Sequence, residues 1–195
     1  MISVIITSFK EAGTIGRAIE AFESNEFGDK VEVIVGAPDD EPLEAASKLK
    51  SEYKNLIVFK DNGEGKPAAL NALVEKAKGD ILILSDGDVY VSPDSVRYML
   101  EKMNDENIGA VSGHPVSTSP RDTKLGFWAY LLTEIAHERR IRATEMGRRF
   151  FCSGYLFAIR KELFPALSKD LLSEDVFISH SVYTAGKKIA YAGES

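Results

Sequence analysis

The sequence predicts an α/β fold with a mainly parallel central sheet flanked by helices. Short aliphatic runs at residues 3–6, 31–35, 56–59, 81–84 and 108–111 have the length and composition of strands. Between them, apolar residues recur at helical spacing: Ile15, Ala18, Ile19 and Phe22 follow Thr14, a residue type that caps helices, and Val96, Met99, Leu100 and Met103 follow Pro93. Alternating strands and helices are the rhythm of an α/β sheet. The fourth run, Ile81-Leu82-Ile83-Leu84, has four consecutive branched aliphatic residues, which suits a parallel strand covered on both faces.

Composition sets the outer bounds. The 195 residues are 44% hydrophobic and 28% charged, an ordinary make-up for one domain with a sizeable core, and disordered or fibrous classes are excluded. A formal net charge of -6 argues against a nucleic-acid partner, so any anion site must rely on local cations. Cys152 is the only cysteine and cannot form an internal disulfide, which makes a reducing cytoplasm the expected location. No apolar stretch reaches the roughly 18 residues needed to span a bilayer, and no secretory signal is visible. From residue 125 to 146 one long helical pattern begins apolar and aromatic and ends rich in arginine. No repeat or linker divides the chain.

The segment richest in chemistry follows the fourth strand, where the apolar run stops at Ser85-Asp86-Gly87-Asp88. Ligands of open α/β sheets gather at the carboxyl ends of strands. Two carboxylates this close repel each other, a cost offset by a cation, and oxygen ligands favour Mg²⁺ or Mn²⁺. A plain Asp-Gly turn is the simpler alternative. The first strand runs into Thr7-Ser8-Phe9-Lys10-Glu11 at the same edge, where Glu11 can accept from a ribose or base. Gly63-Glu64-Gly65-Lys66-Pro67-Ala68-Ala69-Leu70-Asn71 is a flexible loop feeding a helix start, with Lys66 placed for a phosphate. It is not a Walker A loop, because the glycine spacing differs and Pro67 stands where Ser or Thr would bind magnesium. In Leu171-Leu172-Ser173-Glu174-Asp175-Val176-Phe177, adjacent acids interrupt an apolar run. They suit either a helix first turn capped by Ser173 or a general base whose carboxyl an apolar setting raises towards neutrality.

These segments together resemble the glycosyltransferase family 2 enzymes, inverting transferases of the GT-A fold that use nucleotide-sugar donors. The resemblance rests on Ser3-Val4-Ile5-Ile6-Thr7-Ser8-Phe9-Lys10-Glu11, Gly65-Lys66-Pro67-Ala68-Ala69-Leu70-Asn71, Ser85-Asp86-Gly87-Asp88, Cys152-Ser153-Gly154-Tyr155-Leu156-Phe157-Ala158-Ile159-Arg160 and Ser173-Glu174-Asp175, in that order. It implies that Asp88 and Asp86 bind a divalent metal (Mn or Mg), with Asp86 also in reach of ribose. It implies Asp175, with Glu174 beside it, as the catalytic base. Thr7, Phe9, Glu11, Asp39, Lys66, Asn71, Asp86 and Gly154 are the residues expected to line the donor and acceptor sides. The acceptor hydroxyl would belong to a saccharide or a lipid-linked molecule.

Two departures from the family pattern stand out. Where an acidic pair usually follows the second strand, this chain reads Val35-Gly36-Ala37-Pro38-Asp39-Asp40, displaced by about two positions, so the base is left open. The expected organisation is one glycosyltransferase catalytic domain over residues 1–195. Relatives often continue beyond the proposed base into an acceptor-binding or membrane-spanning region, so the chain is expected to be either a fragment of a longer protein or a minimal domain. Sugar-nucleotide nucleotidyltransferases offer a second enzyme class, loosely matched by Ala12-Gly13-Thr14-Ile15-Gly16-Arg17. A nucleotide-sugar-binding domain without turnover offers a third reading.

The basic segment His137-Glu138-Arg139-Arg140-Ile141-Arg142, with Arg148 and Arg149, suits phosphates or an anionic membrane surface. Peripheral contact with the inner face of the membrane through Arg139, Arg140 and Arg142 is therefore expected, against a solvated helix face as the alternative. His114 and His180 are read as ordinary histidines. Phe127, Trp128 and Tyr130 suit either core packing or stacking on a sugar or lipid.

Overall fold

The computed structural model describes residues 1–25, 27 and 30–195. Strands β1 (Ile2–Thr7), β2 (Val31–Ala37), β3 (Leu56–Lys60), β4 (Ile81–Asp86) and β5 (Ile108–Ser112) coincide with the five aliphatic runs, and β6 (Leu156–Arg160) and β7 (Lys188–Tyr191) complete the sheet. The helices are α1 (Ile15–Glu23), α2 (Asp40–Ser47), α3 (Lys66–Lys76), α4 (Ser95–Met103), α5 (Lys124–Glu145) and α6 (Glu174–Thr184).

The sheet order is β3-β2-β1-β4-β6-β5-β7. β1 pairs in parallel with both β2 and β4, β2 with β3, and β5 with β7, whereas β6 runs antiparallel between β4 and β5. Successive strands run outward from β1 to β3, and the chain then returns to place β4 on the other side of β1. That reversal opens a crevice between the carboxyl ends of β1 and β4, the place where doubly wound sheets bind ligands. Thr7 and Asp86 are register partners there.

Side-chain alternation along each strand feeds two apolar layers. Val4 and Ile6 of β1 and Ile83 of β4 face α1 and α4, where Ile15, Ile19, Phe22, Val96 and Met99 are buried. Ile5, Leu82 and Leu84 face the opposite way, onto Leu70 and Leu73 of α3 and Ile178 and Val182 of α6. Each such side chain contributes about 1.5–3 kcal/mol by leaving water, so this double coverage accounts for the continuous apolar run of β4.

Helix α5 differs from the others. It covers the long arginine-ended pattern, yet Gly126 is its one buried residue, and Leu125, Phe127, Trp128, Leu132 and Ile135 stay exposed. Phe127 and Trp128 are therefore surface residues in contact with each other. At α1, Thr14 occupies the cap position, but its hydroxyl donates back to the Glu11 carbonyl and caps no amide. Among the described residues no helix is long and apolar enough to cross a membrane.

Candidate active site

The site assembles at the carboxyl edge of β1, β2, β3 and β4. Asp86 ends β4, and its Oδ1 accepts from Thr7 Oγ1 at 3.0 Å and from Lys66 Nζ at 2.6 Å. Lys66 opens α3 behind Gly65, whose φ of 97° lies where an L side chain would be strained. The same ammonium reaches Glu174 Oε1 at 3.3 Å. Burial alone would lower the Lys66 ammonium, but the Asp86 and Glu174 carboxylates outweigh it and the net displacement is upward.

Gly87 permits a close approach on the other side of Asp86. A Cβ there would lie 2.6 Å from Glu11 Oε2 and 2.8 Å from Ser8 Oγ, so the Glu11 carboxyl is packed against the acidic turn. Burial pushes that carboxyl above its ordinary value, and the nearby Asp88 and Asp86 charges add to the rise, while the Ser8 hydroxyl and the Phe9 amide oppose it. Asp88 is exposed at the turn. A concentration of negative charge with hard oxygen donors fits a divalent cation, with Asp88 and Asp86 as the residues to hold it. Among the described residues no group of three or more His, Cys, Asp or Glu is arranged to hold a metal on its own. For a divalent ion held by these two residues, further ligands would come from a diphosphate or from water, the usual habit of Mg²⁺.

A cavity of about 490 Å³ adjoins this turn, lined by Thr7, Phe9, Glu11, Gly36, Pro38, Asp61, Gly63, Gly65, Lys66 and Asp86. Its size suits a small ligand such as a nucleotide. Phe9 is 61% exposed at the rim. Asp39 Oδ2 accepts from the Lys10 amide at 3.2 Å, and Lys10 has a φ of 59°, so Asp39 holds the loop after β1 in a left-handed turn. Asp61 was not singled out from the sequence. It lies one residue past β3, with Oδ1 accepting from the Gly63 amide at 2.7 Å. The rule that strand ends carry chemistry would have found it, but β3 is an edge strand followed by a glycine-rich loop that draws attention to Lys66.

Asp86, Lys66, Gly154, Glu174 and Asp175 line a second, narrower cleft together with Thr7 and Ser85. Ser173 stands at the cap position of α6, but its hydroxyl donates to Asp175 Oδ1 at 2.5 Å and caps no backbone amide. The Val176 amide donates to the same oxygen at 2.8 Å. Asp175 thus sits in a polar setting, not the apolar one anticipated, because the start of α6 supplies donors beside it. A Cβ on Gly154 would stand 3.4 Å from Asp175 Oδ2, so that oxygen faces the segment leading into β6. Hydrogen bonds fix this segment: Ser85 Oγ donates to the Tyr155 carbonyl at 3.0 Å, the Ser153 amide donates to Ser112 Oγ at 3.0 Å, and the Cys152 amide donates to Ser179 Oγ, which donates to the Asp175 carbonyl at 2.6 Å.

Asp39 lines neither the cavity nor the narrower cleft, and the same holds for Asn71. Its Nδ2 donates to the Leu167 carbonyl at 2.8 Å and its Oδ1 accepts from the Leu167 amide at 3.0 Å, so the amide clamps the segment before α6 and is absent from the cavity lining. Lys169 Nζ meets Glu64 Oε2 at 2.8 Å nearby. His114 is half-buried and stacks on His137 with ring centroids 3.8 Å apart, beside Tyr191. His180 is exposed. Of the expected membrane-facing arginines, Arg139 and Arg142 are exposed, whereas Arg140 turns inward towards the Tyr191 ring at 5.9 Å.

The sequence profile of the group described as glycosyl transferase family 2 matches residues 3–167. The chain belongs to glycosyltransferase family 2. This family 2 chain is 24% identical over 200 residues to a poly-beta-1,6-N-acetyl-D-glucosamine synthase of Staphylococcus aureus, covering 97% of this chain and 47% of the synthase. It is 26% identical over 129 residues to an N-acetylglucosaminyltransferase of Bradyrhizobium elkanii, covering 64% of this chain and 71% of the relative. A mannosyltransferase from Pyrobaculum calidifontis, solved with GDP-Man and Mn2+, shares the fold at a TM-score of 0.70 and 21% identity, over 97% of this chain and 54% of that one. TarS 1-349 of S. aureus, solved with UDP-GlcNAc, does so at 0.68 and 17% identity, over 100% and 56%. The family 2 chain thus spans about half the length of several proteins it resembles, and its architecture is that of the GT-A glycosyltransferases.

Proposed function

We propose that this chain is a single, inverting glycosyltransferase domain over residues 1–195 that moves a sugar from a nucleotide-diphosphate sugar to an acceptor hydroxyl. One observation carries the reading: Asp86 and Lys66, next to the nucleotide-sized cavity, share a cleft with Asp175 and Gly154. On this reading the donor diphosphate lies by Asp86 and Lys66, and Asp175 acts from the other side of the reacting carbon.

In this mechanism Asp175 Oδ2, on the Gly154 side, removes the acceptor proton as the acceptor oxygen attacks the anomeric carbon. The bond from that carbon to the diphosphate oxygen breaks, its electron pair leaves with the nucleoside diphosphate, and configuration inverts. Ser173 and the Val176 amide hold Asp175 through Oδ1 and leave Oδ2 for the proton. Glu174 orients Lys66 towards the leaving diphosphate. A divalent ion, manganese or magnesium, held by Asp88 and Asp86 would neutralise charge on that leaving group. On this reading Glu11 and Asp61, which line the cavity, meet the ribose and base, and Asp39 acts through the loop after β1 that it holds.

The acceptor is a saccharide or a lipid-linked molecule, and N-acetylglucosaminyl and mannosyl donors come first because relatives act on or bind them. The exposed Leu125, Phe127, Trp128, Leu132 and Ile135, followed by Arg139 and Arg142, support peripheral contact of α5 with the inner face of the cytoplasmic membrane.

Transfer from radiolabelled UDP-GlcNAc and GDP-Man to oligosaccharide and polyprenyl-phosphate acceptors tests this reading. Asp175→Asn should retain donor binding while losing about 10²–10⁴ in rate, the usual contribution of general base catalysis. Normal transfer by that variant would remove Asp175 as the base.

A further inference from the structure

We propose that Lys66 is a resident counter-ion that keeps a free divalent metal off Asp86, so that metal enters the site together with a nucleotide diphosphate and not before it. This rests on the reading of the cleft as a donor site and adds to it an order of binding.

The argument starts from one oxygen atom. Asp86 Oδ1 is taken twice, by Thr7 Oγ1 at 3.0 Å and by Lys66 Nζ at 2.6 Å. A divalent ion ligated by that oxygen at about 2.0–2.2 Å would face a full positive charge only a few ångströms away. Like charges that close, with limited solvent between them, repel by several multiples of thermal energy. Before nucleotide binds, the site therefore offers the exposed Asp88 and the remaining oxygen of Asp86, which is a poor chelate.

A diphosphate changes this balance. It adds negative charge at the start of α3, where Lys66 is the first residue of the helix and the free amides already favour anions. The ammonium then has a second partner for its charge, and Glu174 Oε1 at 3.3 Å acts as a pivot that keeps it in the cleft as it leaves Asp86. Asp86 becomes available at the moment the diphosphate oxygens arrive to share the ion. Glu174 borders Asp175, so the same movement lies next to the proposed base.

The test reads bound Mn²⁺ by electron paramagnetic resonance on the purified chain, with metal alone and with each of UDP and GDP. Wild type should bind Mn²⁺ alone at least tenfold more weakly than Lys66→Met, while Lys66→Arg, which keeps the charge, should exclude the free ion as wild type does. The site gained in Lys66→Met should vanish when Asp88→Ala is added, and melting temperatures confirm that each variant is folded. Unchanged binding of Mn²⁺ alone in folded Lys66→Met, entry of free Mn²⁺ into Lys66→Arg, or a gained site that survives Asp88→Ala would each overturn the proposal. Failure of wild type to bind Mn²⁺ with either diphosphate would instead overturn the donor-site reading beneath it, a result distinct from all three.

Discussion

Replacing Asn71 with alanine separates a ligand contact from a structural clamp. Both ends of the Asn71 amide bond the backbone of Leu167, whose side chain is buried, at 2.8 and 3.0 Å. Truncation leaves a largely desolvated N–H and C=O without partners, at about 1–1.5 kcal/mol each and about 2–3 kcal/mol together. For a chain of this size that lowers the melting temperature by roughly 4–12 °C. Urea denaturation and thermal melting measure the loss, and calorimetry with a nucleoside diphosphate measures binding below the melting range. The expected variant is less stable and binds nucleotide with less than a threefold change. A variant of full stability that no longer binds nucleotide would show that Asn71 contacts the donor, as its sequence context suggested.

Two further outcomes follow from a half-buried and a buried group away from the cleft. Burial lowers the His114 imidazole below its ordinary 6.5, and the neighbouring His137 and Arg140 add to the effect, while the Gly193 carbonyl and Glu134 oppose it. The unfolded chain then binds the proton more readily than the folded one, so this contribution to stability is present above about pH 6.5 and is lost as pH falls below it. Melting temperature should drop between pH 7.5 and 5.5, and drop less in His114→Gln; an equal drop in both would contradict this. Burial also pushes the Cys152 thiol up to about 12. A disulfide reagent at pH 8 should leave the native chain unlabelled and label one thiol after denaturation, whereas rapid native labelling would contradict the buried position.

The sequence made the sheet's first five strands visible because each is an aliphatic run ending at a polar turn, and Asp86, Asp88, Lys66 and Glu11 were legible as strand-end or helix-start chemistry. β6 escaped as a strand although its residues, Leu156-Phe157-Ala158-Ile159-Arg160, are apolar, because its antiparallel place between β4 and β5 is set by pairing that no local period encodes. β7 is four residues long and begins at a lysine, too short to carry a period. What the residues could not reveal was which hydrogen bonds each side chain would prefer. Thr14 and Ser173 occupy cap positions but donate elsewhere, and Asn71 spends its amide on a segment 96 residues away. The Lys66 bridge between Asp86 and Glu174 likewise depends on bringing the first residues of α3 and α6 to one cleft, which no local pattern encodes. The stacking of His114 on His137 was not legible either, because it joins the end of β5 to α5.

The most direct test of the donor site is calorimetric titration of the purified chain with UDP, GDP, CDP and dTDP, each with and without Mn²⁺, with Asp88→Ala as control. The account predicts metal-dependent binding of one diphosphate that disappears in the variant. Equal binding with and without metal, or binding that survives Asp88→Ala, would contradict it.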